Sequence, residues 1–177
     1  MKTNPLGSSE LQVSRVCLGT MTWGQQNSQA DADAQLEFAL NQGINFIDTA
    51  EMYAVPPSPE TYGATESIIG NWINANKSRR EEFILASKIA GNGVPWIRDG
   101  GDITAEAVTK AIDASLARLQ TDCIDLYQLH WPNRTSPHFA KHSPNQVKFS
   151  ELDKQQEQNQ MLEILQALDE CIKAGKI

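Results

Sequence analysis

Four ionisable side chains come at or just after the ends of short apolar runs, and their types suit proton transfer to a carbonyl oxygen. They are Asp48, Tyr53, Lys88 and His130. A tyrosine phenol has a pKa near ~10, and a nearby lysine ammonium favours the phenolate and lowers that pKa. A buried aspartate would compensate the lysine charge, and a histidine would orient the substrate oxygen. Such a set would protonate a carbonyl oxygen while a nicotinamide cofactor delivers hydride.

Two other interpretations of the same residues stay open at this point. Asp48 and Lys88 could form a buried ion pair without a catalytic role, with His130 satisfied in the core. Lys88 could also be the nucleophile of a Schiff-base enzyme, because lysines at barrel strand ends can serve that way. The joint occurrence of Asp, Tyr, Lys and His at strand ends favours the acid–base site over both.

The elements that must position these residues alternate along the chain. Turn residues at 4–9 predict an opening hairpin. Apolar runs predict four strands, at 15–20, 44–49, 83–89 and 123–130. Helical spacing predicts four helices, at 28–42, 66–77, 104–120 and 157–174. Ser28 and Asp31, three residues apart, predict a capping box at the start of the first helix. This alternation predicts a parallel sheet covered by helices, with an active site at the carboxyl ends of its strands.

Composition excludes several classes of function. The net charge of −7, from 15 basic and 22 acidic residues, argues against nucleic acid or an anionic membrane as the main partner. No apolar run approaches the ~18 residues of a membrane helix, and the first ten residues carry no apolar signal segment. The odd number of scattered cysteines, Cys17, Cys123 and Cys171, is typical of buried thiols in a cytoplasmic protein. We therefore expect a cytoplasmic protein that acts on a small molecule.

Other residues are weaker candidates. Trp23 and Trp131 follow the first and fourth runs, so they are expected to line a substrate mouth or to pack as core aromatics. His138 and His142 have the spacing of metal ligands, but prolines flank them and no glutamate follows the first, so no metal site is predicted. The basic cluster at 77–80 is interpreted as a solvated helix end at the amino-terminal side of the sheet.

Four stretches of the sequence resemble the aldo-keto reductases. They are residues 18–24 (LGTMTWG), 43–53 (GINFIDTAEMY), 85–88 (LASK) and 125–132 (DLYQLHWP). The likeness covers essentially the whole chain. The loop at 56–61 (PPSPET) and the long insertion after the fourth run resemble the bacterial Tas-type members, near the potassium-channel β-subunit branch.

The resemblance implies a (β/α)8 barrel and the cofactor NADPH. It implies that Tyr53 is the general acid, that Lys88 and Asp48 tune it, and that His130 orients a carbonyl substrate. It further implies that Gly19, Thr20, Met21 and Asp48 bind the cofactor near its nicotinamide. A cofactor-sensing binding subunit without turnover is the alternative, because the channel-subunit branch has the same fold.

The length sets one more expectation. An eight-stranded barrel takes ~250 residues, whereas this chain supplies a hairpin and four βα units within 177 residues. Residues 1–177 are therefore interpreted as a single domain that forms the N-terminal half of a barrel. We expect this half to be inactive without its C-terminal half, and to pair with that half or with itself through open sheet edges.

Overall fold

The computed structural model describes residues 1–133 and 153–177. The strands are β1 (Thr3–Pro5), β2 (Gln12–Ser14), β3 (Cys17–Gly19), β4 (Phe46–Asp48), β5 (Ile84–Ile89) and β6 (Leu126–Leu129). The helices are α1 (Gln29–Asn41), α2 (Ala64–Ala75), α3 (Ala105–Leu119) and α4 (Lys154–Lys173). Short 3-10 turns lie at Lys77–Glu82 and Arg98–Gly100.

The main sheet contains four parallel strands in the order β3-β4-β5-β6. Chain order equals spatial order, as expected when each helix carries the chain to the next strand. The predicted α/β alternation is confirmed, with each strand shorter than its apolar run. Asp48 is the last residue of β4, Lys88 is the penultimate residue of β5, and His130 directly follows β6.

Local sequence signals fix the helix ends. Ser28 caps α1: its hydroxyl accepts from the Asp31 amide, and the Asp31 carboxylate accepts from the Ser28 amide, which is the predicted capping box. Thr104 caps α3 in the same way through the Ala107 amide. Helix α4 starts a few residues before the predicted start at 157, because Asp153 supplies the cap.

The hydrophobic core lies between the sheet and its helices. One part joins β4 and β5 to α1 and α2, and is centred on Ile47, Leu85, Leu36 and Ile69. A second part joins the end of β5 to α3 and α4. Since successive strand residues face opposite sides, Asp48 lies on the sheet face away from Ile47 and these helices.

Helices α2 and α3 approach each other closely at Gly70. A Cβ atom at this position would lie 2.0 Å from the Arg118 carbonyl oxygen. Only glycine allows this contact, which brings the two helices together over the sheet.

The hairpin β1–β2 packs at the amino-terminal end of the sheet. Its strands pair antiparallel, and Asn45, directly before β4, holds them. The Asn45 side chain accepts from the Ser14 amide at 2.7 Å and donates to the Gln12 carbonyl at 2.9 Å. The hairpin therefore lies at the end of the sheet opposite Asp48 and His130.

Two sequence-based interpretations need correction here. The cysteines are not uniformly buried: Cys17 is exposed, Cys123 is partly buried and Cys171 is buried, because Cys17 lies on the sheet face without helices. The basic cluster is solvated only in part: Lys77 is exposed, whereas Arg79 pairs with Glu37 and Glu82 and Arg80 pairs with Asp125. In the described ranges, no helix has the length and apolar character needed to cross a membrane.

Candidate active site

An ion pair at the carboxyl edge of the sheet joins β4 to β5. Lys88 Nζ donates to Asp48 Oδ2 at 2.7 Å and to the Thr49 carbonyl at 2.7 Å. The parallel register sets this contact, since Asp48 lies opposite Ala86 and Lys88 is two residues further on the same face. Both side chains are partly exposed. Because Lys88 is bonded to two oxygens, the site favours a charge-bearing lysine over the nucleophile of a Schiff-base enzyme.

Tyr53 and His130 complete the cluster. Lys88 Nζ lies 5.0 Å from the centre of the Tyr53 ring. The rings of Tyr53 and His130 meet edge to face, with 5.5 Å between centroids and 82° between planes. The structure thus brings together the four ionisable residues that the sequence singled out.

The imidazole of His130 is neutral near pH 7. Burial and, to a lesser extent, the nearby Lys88 charge lower its pKa from 6.5 to about 4, and the Asp48 charge opposes this shift. A neutral imidazole carries one N–H donor and one nitrogen acceptor. His130 is therefore suited to hydrogen-bond an uncharged oxygen.

A cavity of about 390 Å³ opens beside Tyr53 and His130. Its remaining lining is mostly apolar and comes from the four loops that follow β3, β4, β5 and β6. These residues are Met21, Met52, Val55, Pro57, Asn92, Gly93, Val94, Pro95, Trp96 and Trp131. The charged ends of Asp48 and Lys88 are not among them, so the cavity suits an uncharged apolar ligand.

Trp131 forms a fixed wall of this cavity. Its indole N–H donates to the Asn92 carbonyl at 3.1 Å. A Cβ atom at Gly91 would lie 2.2 Å from the indole nitrogen, so only glycine permits this approach. Trp131 thus lines the cavity and also packs in the apolar cluster beside it, and its contact with a substrate stays a prediction.

Trp23 and Thr20 differ from their predicted roles. Trp23 is 1% exposed, packs in the core with Leu36 and Ile47, and donates from Nε1 to Gln35 at 2.9 Å. It does not line the cavity, so its interpretation as a substrate contact is wrong. Thr20 is completely buried and its hydroxyl donates to the Asp48 carbonyl at 2.8 Å. Thr20 therefore holds the ends of β3 and β4 together, and its interpretation as a cofactor contact is wrong.

Gly19 and Met21, in contrast, are accessible at the end of β3. A Cβ atom at Gly19 would meet no other atom within 4 Å. Met21 is half exposed and lines the cavity. Together with Asp48 they leave open space at the strand ends, which fits their predicted role next to a planar nicotinamide ring.

Sequence reasoning missed a buried glutamate and its arginine partner beside the site. Glu51 is completely buried and pairs with Arg98 at 2.8 Å. Glu51 also accepts from the Ala90 amide at 2.6 Å. Glu51 could have been predicted from its place in the sequence, because it is a carboxylate that lies between the end of a buried strand and Tyr53. Arg98 lies in a loop without periodicity, so no pattern marked it.

The two histidines that have the spacing of metal ligands belong to a different part of the chain. His138 and His142 lie outside the described residues. Within residues 1–133 and 153–177, no group of histidine, cysteine or carboxylate side chains is arranged to hold a metal ion.

The parallel sheet and its covering helices define an α/β protein with the architecture of a partial (β/α)8 barrel. The chain belongs to the aldo/keto reductase family, whose sequence model matches residues 15–177. This family consists of oxidoreductases that generally use NAD(P)H. The expected family and fold class are thereby confirmed.

Several curated relatives are similar to the chain. Protein tas of Escherichia coli (strain K12) is 46% identical over 180 residues, covering 100% of this chain and 50% of that protein. The uncharacterized oxidoreductase YrpG of Bacillus subtilis (strain 168) is 38% identical over 77% of this chain and 42% of that protein. A probable voltage-gated potassium channel subunit beta of Arabidopsis thaliana is 32% identical over 77% of this chain and 39% of that protein. The chain spans about half the length of the curated relatives it matches.

Proposed function

We propose that the protein containing this chain reduces an uncharged, apolar aldehyde or ketone to the alcohol with NADPH. The observation that carries this proposal is the meeting of Tyr53, Lys88, Asp48 and His130 beside an apolar cavity. Membership of an oxidoreductase family supports the reaction class.

The strand ends suit a nicotinamide nucleotide. Gly19 leaves open space, Met21 offers an accessible apolar side chain, and Asp48 presents a carboxylate at the edge of the sheet. These three residues would hold the nicotinamide end, and the bound cofactor would supply hydride to the carbonyl carbon. NADPH is the proposed form of the cofactor.

Tyr53 is the proposed general acid. Its hydroxyl protonates the carbonyl oxygen as negative charge develops there. Lys88, with its ammonium 5.0 Å from the ring, favours the negative charge that the proton leaves on Tyr53. Asp48 holds Lys88 in place through the 2.7 Å ion pair. The neutral His130 donates a hydrogen bond that orients the carbonyl oxygen next to the Tyr53 hydroxyl.

A steady-state assay of full-length protein containing residues 1–177 tests this proposal. We expect aldehyde-dependent NADPH oxidation that Tyr53→Phe lowers by about 10²–10⁴-fold, the usual contribution of general acid catalysis. NADPH affinity should stay nearly unchanged, because only the hydroxyl is lost. Tyr127→Phe is the matched control, since Tyr127 packs against the helices on the opposite face. Turnover of Tyr53→Phe close to that of Tyr127→Phe would show that another group donates the proton.

A cofactor-sensing binding subunit without turnover is the second candidate. The similarity to the Arabidopsis thaliana protein named as a probable channel subunit favours it. In that case the same four residues would bind NADPH without consuming it. Saturable NADPH binding without oxidation, across a panel of apolar aldehydes and ketones, would support this candidate over the reductase.

A further inference from the structure

One wall of the cavity is the segment 92–96, which lies in the loop between β5 and α3. The loop is fastened at both ends by side chains of other elements. Trp131 Nε1 holds the Asn92 carbonyl, and the Asn133 side chain bonds both backbone groups of Ile103, at 2.8 Å and 2.6 Å. Between these points, Ile97 and Val94 pack in the apolar cluster that contains Tyr53 and Trp131. Arg98 adds an ion pair between the loop and the site.

Glu51 is the partner of Arg98, and it links three parts of the site. Its carboxylate accepts from the guanidinium of Arg98 at 2.8 Å and 3.0 Å, from the Ala90 amide at 2.6 Å and from the Tyr62 hydroxyl at 3.3 Å. The Glu51 amide donates to the Lys88 carbonyl at 3.2 Å. Glu51 precedes Tyr53 by two residues, so it joins the turn of Tyr53 to the strand end of Lys88.

The backbone of Arg98 is held in an unusual conformation. Arg98 and Asp99 have φ values of 48° and 54°, in the left-handed region that non-glycine residues seldom adopt. Such residues persist where surrounding contacts determine the conformation, and they concentrate at ligand-binding sites. Here the contacts are the two bonds to Glu51 and a third from the guanidinium to the Ala90 carbonyl at 2.6 Å.

We propose that the buried pair Glu51–Arg98 positions the segment 92–96 over Tyr53 and His130, and so sets which carbonyl compounds the cavity accepts. This inference rests on the proposed reductase function. Arg98 is a positioning residue, because it acts through the loop and does not line the cavity. Large apolar substrates depend on the placement of this wall, whereas small substrates touch little of it.

The chain contains a matched control pair. Glu66 is completely buried, like Glu51, and Arg118 binds it at 2.7 Å. The exposed fractions of the two arginine side chains are 19% for Arg118 and 21% for Arg98. Arg118 joins α2 to α3 and does not line the cavity. It contacts the Glu51–Arg98 pair indirectly, through the Tyr62 ring, whose centre lies 5.2 Å from its guanidinium and whose hydroxyl donates to Glu51. Loss of Arg118 therefore reports the general cost of breaking a buried pair.

The experiment compares Arg98→Met and Arg118→Met in full-length protein containing residues 1–177. The substrates are 2-naphthaldehyde and propanal with NADPH, and kcat and KM are measured separately. For Arg98→Met, we expect kcat/KM for 2-naphthaldehyde to fall at least about tenfold more than for propanal, mainly through KM. Arg118→Met should change both substrates equally. Arg98→Lys keeps the charge but loses the paired hydrogen bonds of the planar guanidinium. We therefore expect its kcat/KM for 2-naphthaldehyde to lie between that of the unaltered protein and that of Arg98→Met.

Binding of 2-naphthol, measured by calorimetry, gives the same comparison without turnover. We expect Arg98→Met to weaken this binding at least about tenfold relative to Arg118→Met. If the unaltered protein reduces neither aldehyde, the reductase proposal fails and the binding comparison alone decides the role of the pair. An equal effect of Arg98→Met and Arg118→Met on substrate discrimination or on binding would overturn the positioning role. If Arg98→Met does not fold, Arg98→Lys takes its place: a larger loss of kcat/KM for 2-naphthaldehyde than for propanal supports the positioning role, and equal losses overturn it.

Discussion

The two ends of the sheet use charged residues in different ways. At the amino-terminal end, Arg80 bonds Asp125 at 2.6 Å and two backbone carbonyls, and Asp125 accepts from the Leu85 amide. These contacts occupy the guanidinium with groups of the chain itself. At the carboxyl end, Tyr53 and His130 line an apolar cavity next to the pair Asp48–Lys88. Charged groups whose hydrogen bonds go to the chain itself stabilise the structure, whereas Tyr53 and His130 face an apolar cavity in which a ligand can bind.

Loss of Lys88 should have the largest effect among substitutions that test this contrast. Lys88→Met removes the ammonium beside Tyr53 and leaves Asp48 without its partner, so we expect turnover to fall about 100-fold or more. Lys77→Met, an exposed lysine at the other end of the sheet, is the control and should retain turnover. Steady-state kinetics with NADPH and an apolar aldehyde measures both. Equal turnover of the two variants would remove the functional distinction between the ends.

Loss of Arg80 should instead affect stability. Arg80→Met leaves Asp125 and two carbonyl groups short of a donor, so we expect the free energy of unfolding to fall by about 2 kcal/mol. Arg79→Met breaks more exposed pairs and should lower the free energy of unfolding by less than Arg80→Met does. Urea unfolding gives both values, and turnover per folded molecule should stay unchanged. A drop in turnover without a drop in stability would assign function to the amino-terminal end.

His130 makes a pH-dependent contribution to stability. Its pKa is lowered in the folded chain from 6.5 to about 4, so the unfolded chain binds more protons between these values. The free energy of unfolding should therefore decrease as the pH falls from about 6.5 to about 4. His130→Gln should show a smaller decrease over the same range, measured by urea unfolding. If the free energy of unfolding depended on pH in the same way in both proteins, folding would not lower the pKa of His130.

The labelling rate of the Cys17 thiol is the smallest effect that we expect. Although Cys17 is exposed on the open sheet face, the atoms around its thiol desolvate it in part; this desolvation and, to a lesser extent, the Asp48 charge raise its pKa to about 11, while Lys88 opposes this shift. Since the thiolate is the reactive form, iodoacetamide should label Cys17 at least about tenfold more slowly in folded than in urea-unfolded protein at pH 8. Asp48→Asn should speed up labelling in the folded protein. Peptide mass spectrometry measures the rates, and equal labelling in both states would contradict the shift.

The parts of the fold that follow from local pattern could be predicted from sequence. Apolar runs and helical spacing gave the alternation, and the capping box at Ser28 gave a helix start. The contact of Asp48 with Lys88 follows because parallel neighbours align the ends of their strands. The helix limits shifted by only a few residues, which is the scale on which caps decide them.

The parts that depend on loops or on distant pairing could not be predicted. Trp23 and Trp131 both follow a strand end, yet the first packs in the core and the second lines the cavity. The direction of the loop after each strand determines whether the tryptophan packs in the core or lines the cavity, and no periodicity in the sequence indicates that direction. Glu51 and Arg98 are 47 residues apart, so their pairing depends on how the loop after β5 folds back.

The docking of the opening hairpin has a practical consequence for handling the protein. Asn45 holds the hairpin at the end of the sheet opposite the cavity, and Met1 packs close to Gly43 at that same end. An affinity tag, a fluorophore or a surface linker attached before residue 1 would project away from the cavity mouth. Immobilised protein would thus present its cavity to the solution, which suits ligand screening on a sensor surface.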